Sequence, residues 1–177
     1  MASASPRRRN LLESACLEVV VRPSGADESW PGGGVDDGAV ALARRKVDVI
    51  PAPGELVVGA DTLVVLEDDR LEKPTDGVDA AHMLRRLAGR QHRVVTGWCV
   101  RRDGRERVGA VTTKVTFRRL SDPEIASYVA SGEPLDKAGA YGIQGKGGAL
   151  VDRVEGSYTN VVGLPLAEVL AAIEALG

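Results

Sequence analysis

Apolar and polar positions alternate along the chain in short runs, separated by turns rich in glycine and proline. Ser5 followed by Pro6 marks a helix start, because a small hydroxyl residue suits the N-cap and proline suits the first helical position. That helix is expected to bury Leu11, Leu12 and Ala15. Residues 17–21 are short and β-branched and read as a buried strand. Residues 23–34 are Gly-, Pro- and Ser-rich and read as loop. Residues 35–47 carry helical spacing, with Val35, Ala39, Leu42 and Ala43 on one face. Residues 56–66 are the clearest extended run, a strand pair or one bent strand, and Gly59 within it suggests a bulge. A helix over 76–87 follows Pro74, with Ala80, Met83, Leu84 and Leu87 as its core face and Gly89 as its stop. Residues 94–101 and 107–120 read as strands joined at Asp103-Gly104, a favoured hairpin dipeptide. In the second of these, Val111, Thr113, Val115 and Phe117 alternate with polar residues, so one face is solvated. Ser121-Asp-Pro-Glu124 is a capping box opening a helix to Ala130. A last helix starts at Pro165 and buries Leu166, Val169, Leu170 and Ile173.

With 177 residues, this pattern makes one domain, or two small lobes sharing one sheet. A hydrophobic share of 44% and a charged share of 27% are those of a globular protein. Aromatics make up only 3%, which argues against a base-stacking platform. A net charge of -2 argues against holding a nucleic-acid backbone, and Arg7-Arg8-Arg9 is the one local exception. Cys16 and Cys99 have no short spacing and read as buried, reduced thiols. No apolar run is long enough to span a membrane, and no secretory h-region follows the N-terminal arginines. A cytoplasmic location is expected, with no membrane and no nucleic-acid partner.

The chemistry starts at Asp61. It is the one charged residue within the apolar run 56–66, and a carboxylate there must be paired, hydrogen-bonded, metal-bound or shifted in pKa. Asp61 and Glu28 are the candidate carboxylates, Lys46, Lys73, Lys137 and Arg7 the candidate cations, and Gln144 and Thr62 the polar readers. Residues 135–150 combine an Asp136-Lys137 pair with closely spaced glycines, which permit positive φ and close approach to a ligand. There is no P-loop, no His/Cys metal spacing and no nucleophile elbow. Carboxylates with separated cations suit a polyphosphate carried by Mg²⁺ or Mn²⁺, with hard oxygen ligands for the metal and point charges for the phosphates. His92 has no Ser or Cys partner in sight and reads as a positioning or structural residue.

Several stretches together resemble one family. They are Ser3-Ala-Ser-Pro-Arg-Arg8, Val58-Gly-Ala-Asp-Thr62, Lys73-Pro74, the run from Gly89 through His92 to Thr96-Gly97, Asp136 to Gly145, Glu155-Gly-Ser-Tyr158 and Asn160 to Pro165. Their order and sequence resemble the Maf family of nucleoside triphosphate pyrophosphatases. The resemblance implies an α/β fold: a long twisted mixed sheet flanked by helices, in two lobes with the nucleotide in a central cleft. It also implies a homodimer. It places Ser3, Ser5, Arg7 and Arg8 against the triphosphate, Lys46, Lys73 and Lys137 toward the phosphates, and Glu28 with Asp61 around a divalent metal cation. Asp61 is then the general base or a metal ligand. Arg7, Thr62 and Gln144 follow the branch acting on dTTP and UTP rather than the one selective for 7-methyl-GTP. The implied reaction cleaves between the α- and β-phosphates to give a monophosphate and pyrophosphate. Modified pyrimidine triphosphates as substrates, or a non-enzymatic role in septum formation through a bound partner, are the alternative readings. Members of the family carry a short apolar strand before the first motif; here only Met1 and Ala2 precede Ser3.

Overall fold

A computed structural model describes residues 1–177. Helix α1 (Pro6–Ser14) begins at the N-cap Ser5 with Pro6 in its first turn, and buries Leu12. Helix α2 (Val35–Asp48) buries the expected Ala39, Leu42 and Ala43, and also Lys46. Strand β1 (Val57–Leu66) is continuous, followed by β2 (Asp69–Leu71). Helix α3 (Gly77–Leu87) starts where the Asp76 carboxylate accepts the Asp79 N–H, and it buries the four residues its spacing predicts. Strands β3 (Gln91–Arg102) and β4 (Arg105–Phe117) turn at Asp103 and Gly104, both at positive φ (47° and 79°), as a two-residue hairpin requires. Helix α4 (Asp122–Ala130) opens with the complete capping box of Ser121 and Glu124. Strand β5 (Val151–Glu155) and helices α5 (Tyr158–Val162) and α6 (Leu166–Leu176) close the chain.

The five strands lie in the order β2-β1-β3-β4-β5. The β1–β2 and β4–β5 pairs are antiparallel, the latter with an irregularity at Thr116/Phe117. The α/β class is as expected, with these pairings antiparallel where a mixed sheet was expected. The chain divides into two units, Met1–Thr62 with Val95–Val111 and Thr159–Gly177, and Leu63–Val94 with Thr112–Tyr158. In the first unit Leu12, Val58, Trp98, Leu164 and Val169 form one apolar cluster. In the second, His92, Phe117 and Tyr141 meet edge to face, with ring centroids 4.7 to 5.4 Å apart.

Some expectations are corrected; for instance, α1 buries only Leu12 of its three expected residues, and α6 buries Val169 with Ala172 and Leu176 rather than Leu166, Leu170 and Ile173. Residues 17–21 alternate in burial as a strand would but form no ladder; their neighbour in register is Met1 alone, which bonds Val20 O and the Arg22 N–H. Gly59 is required by a close contact. A Cβ there would stand 2.6 Å from the Ala43 carbonyl oxygen, so the glycine exists to let α2 lie directly on β1. Gly97 on β3 does the same against Ala39, at 2.1 Å from its carbonyl carbon. Cys16 is exposed, at a positive φ of 61° where the chain leaves α1, while Cys99 is buried as expected. Helix α5 was not foreseen, because its five residues are too few to show a period.

Candidate active site

The close contact of α2 with β1 decides what Asp61 meets. Residues 59 and 61 share one face of β1, since strand side chains alternate. With α2 seated on Gly59, Lys46 of the same helix reaches the Asp61 carboxylate at 2.5 Å. The ammonium also lies 2.8 Å from Glu28 Oε1, contributed by the loop before α2. Lys46 is thus buried between two carboxylates, its side chain 8% exposed, while Glu28 is largely in solvent at 61%. An ammonium held by two carboxylates marks a place where hard oxygen donors converge on positive charge. No group of three or more His, Cys, Asp or Glu side chains converges anywhere in the chain.

The neighbouring residue Thr62 points to the other face of the strand and joins a different network. Arg8 donates from Nε to the Gly163 carbonyl (2.7 Å), from Nη2 to Thr62 Oγ1 (3.0 Å) and from Nη1 to Ser3 Oγ (3.2 Å). Thr62 Oγ1 lies 3.0 Å from Thr96 Oγ1, and Thr96 in turn donates to the Asn160 carbonyl. Ser3 Oγ also accepts the Ser5 N–H. Arg8 therefore ties the residues before α1, strand β1 and the α5–α6 turn together. Burial lowers its pKa, and the Asp61 charge opposes that shift. Three of the sequence-predicted substrate contacts, Ser3, Arg8 and Thr62, thus bond one another. Ser5 caps α1 by position but makes no side-chain cap bond, and Arg7 is half-buried beside it.

The second unit holds the remaining candidates. Lys73 is exposed, just before the buried Pro74. Lys137 is half-buried, and its ammonium donates to the Glu133 carbonyl (2.6 Å) and to Asp136 (2.5 Å). Gln144 is exposed at the tip of the glycine-rich loop. His92 is buried with Nε2 2.8 Å from the Tyr141 hydroxyl, and burial lowers its pKa to about 4, which fits the structural role read from sequence.

Sequence reasoning missed Glu133. Its carboxylate accepts from the N–H groups of Lys146 (2.9 Å) and Gly147 (3.0 Å) and from the Tyr128 hydroxyl (2.9 Å). The loop glycines make room for these side chains: a Cβ at Gly145 would meet Glu133 Oε2 at 2.4 Å, one at Gly147 would meet Tyr128 Oη at 2.6 Å, and one at Gly142 would meet Lys137 Cε at 2.8 Å. Close approach rather than positive φ requires these three; of the loop glycines only Gly139 has positive φ.

The chain matches known proteins over its whole length. A dTTP/UTP pyrophosphatase of Anaeromyxobacter dehalogenans (strain 2CP-C) is 52% identical over 182 residues, covering 100% of this chain and 93% of that protein. Proteins of the same name from Thermococcus gammatolerans, 47% identical over 178 residues, and Geobacter sulfurreducens, 50% identical over 184 residues, each cover 100% of this chain and are themselves covered to 95%. The profile described as Maf-like protein matches residues 1–176, and the chain belongs to the Maf family.

Proposed function

We propose that this chain hydrolyses dTTP and UTP to the nucleoside monophosphate and pyrophosphate. The observation that carries the reading is the full-length similarity, at 47–52% identity, to relatives named dTTP/UTP pyrophosphatase. The Asp61–Lys46–Glu28 cluster supports the chemistry. Hydrolysis needs a water aimed at phosphorus and positive charge beside the departing pyrophosphate. Asp61 is a carboxylate held in one orientation by Lys46, suited to take a proton from that water or to ligate a cation. Lys46, and in this proposal Lys73, Lys137 and Arg7, supply positive charge to the phosphates. Arg8, with Ser3 and Thr62, keeps the chain before α1 in place, and Ser5 stands at that helix start, whose dipole favours an anion.

Glu28 and Asp61 fit a divalent cation such as Mg²⁺ or Mn²⁺. Such an ion uses one or two carboxylates and completes its shell with phosphate oxygens and water, so a third protein ligand is not required. When bound, it would neutralise phosphate charge and lower the pKa of a coordinated water. Gln144 reads the base in this proposal. No helix is long and apolar enough to cross a membrane; a cytoplasmic enzyme, assembled as a homodimer, is part of the same reading.

The test is pyrophosphate release from dTTP, UTP, dCTP, CTP, GTP and 7-methyl-GTP with Mg²⁺ or Mn²⁺, with Asp61→Asn alongside. Turnover of dTTP and UTP that Asp61→Asn abolishes is the expected result. Equal turnover across all bases, or full activity in Asp61→Asn, would overturn it.

A further inference from the structure

We propose that Glu133 and Tyr128 are positioning residues that hold the loop of residues 142–147 rigid, and that its fixed backbone amides, not the Gln144 side chain alone, separate uracil-type bases from cytosine. The inference rests on the pyrimidine triphosphatase reading above.

The reason lies in the chemistry of a side-chain amide. Uracil and thymine present an N–H donor beside keto acceptors, whereas cytosine presents a ring acceptor beside an amino donor. A carboxamide carries one acceptor and two donors, and half a turn about its last torsion exchanges them. Gln144 can pair with either base by flipping. Its exposed side chain makes no hydrogen bond within the protein that would fix one orientation. Backbone groups cannot flip in this way: an N–H in a fixed turn is always a donor. A polarity filter therefore has to come from the main chain of a loop that does not move.

The loop is built to stay still. Gly142 donates its N–H to the Tyr128 hydroxyl (3.2 Å), which in turn donates to Glu133 Oε1. Four residues on, Lys146 and Gly147 donate their N–H groups to the two oxygens of the same carboxylate. Internal turn bonds run from the Gly145 N–H to the Gly142 carbonyl and from the Gly148 N–H to the Gly145 carbonyl. Both ends of the loop are thus pinned to one carboxylate, directly or through one phenol. Burial alone would raise the Glu133 pKa, but the N–H groups of Gly147 and Lys146 and the Tyr128 hydroxyl outweigh it and lower the pKa overall, so the acceptor is ionised. The main-chain carbonyl of Glu133 receives Lys137 as well. Between the pins, the amide N–H groups of Ile143 and Gln144 make no hydrogen bond within the protein. Those two are donors of fixed polarity in the peptides on either side of the Ile143 Cα, matched to keto oxygens and mismatched to an exocyclic amino group.

Glu133→Gln is the sharpest test, because its amide nitrogen would face an N–H or O–H donor wherever it points. Tyr128→Phe removes a single hydroxyl and serves as the milder variant. Steady-state kcat and KM would be measured for dTTP and dCTP in wild type and both variants, with hydrogen exchange at Lys146 and Gly147 and a thermal melt. The expected result is a dTTP:dCTP ratio of kcat/KM that falls about tenfold or more. It should come mainly from a higher KM for dTTP, with kcat within a few-fold, and with faster exchange at the two amides. Folded variants that lose dTTP and dCTP turnover in equal proportion, or keep the wild-type ratio, would overturn the inference while leaving the proposed activity standing. A wild-type protein that hydrolyses neither nucleotide would overturn the proposed activity, and exchange unchanged in both variants would separately remove the clamp.

Discussion

At the scale of single residues, the adjacent pair Asp61 and Thr62 joins two different networks. Asp61 meets Lys46 and, through it, Glu28; Thr62 meets Arg8 and Thr96. Asp61→Asn keeps the volume and an acceptor for Lys46, and Glu28 stays as a counter-charge, so the fold should persist. It removes the basicity and charge needed for proton transfer or cation binding, and kcat should fall by about 10²- to 10⁴-fold, read by pyrophosphate release. Thr62→Val has the opposite signature. It leaves the Arg8 Nη2 donor facing a methyl group in a half-buried setting, which should cost about 1 kcal/mol in urea unfolding. The dTTP:dCTP ratio should be unchanged, because Thr62 is occupied by protein partners. That Asp61 is a candidate for chemistry was legible in the sequence, since a lone carboxylate in an apolar strand needs a partner, and the structure supplies Lys46. The partners of Thr62 and the carboxylate of Glu133 were not. They depend on which distant segments fold back onto them, and local spacing carries no record of that.

At the scale of elements, the packing of α2 on the sheet does the most to shape the site. Gly59 and Gly97 remove two side chains from β1 and β3, so the helix backbone can touch both strands. Gly97→Ala would put a methyl group 2.1 Å from the Ala39 carbonyl carbon, against backbone that cannot rotate away. The helix would have to move, at a cost of about 3 kcal/mol or more in stability, measured by chemical denaturation. Lys46 would shift with it, so Gly97→Ala should also reduce activity although residue 97 makes no contact in the cluster. Helix faces, caps and the Asp103-Gly104 hairpin were readable because period, capping box and turn chemistry are local signals. Helix α3 buried the four residues its spacing named. What local signals did not carry were features set by a neighbour: residues 17–21 lack a partner long enough for a ladder, and the close contact at Gly59 answers to helix α2.

At the scale of the whole molecule, global stability should carry a pH signature traceable to one buried ring. His92 is 1% exposed and its Nδ1 has no hydrogen-bond partner, so a proton added there would be a charge without an acceptor. Burial lowers its pKa from the ordinary 6.5 to about 4. Between those values the unfolded chain holds the proton and the folded protein does not. Stability is therefore fully present above about pH 6.5 and declines as pH falls through 4. The interval is worth roughly 3 kcal/mol at most, a large share of the 5–15 kcal/mol typical of a domain. Glu124 loses its own contribution too, but lower down: bonds from the Ser121 N–H and hydroxyl, with Arg118, hold its pKa at about 2, so its loss runs from the ordinary 4.5 downward. The window from about 6.5 to 4.5 belongs to the histidine, while the Met1 amino group, whose pKa burial lowers from the ordinary 8.0, begins its own loss at higher pH. Urea midpoints from pH 8 to 4 should fall most steeply between 6.5 and 4 in wild type. In His92→Gln, whose side-chain amide can still meet the Tyr141 hydroxyl, the slope above pH 4.5 should flatten. An equally steep slope in that variant would mean that other groups carry the acid sensitivity.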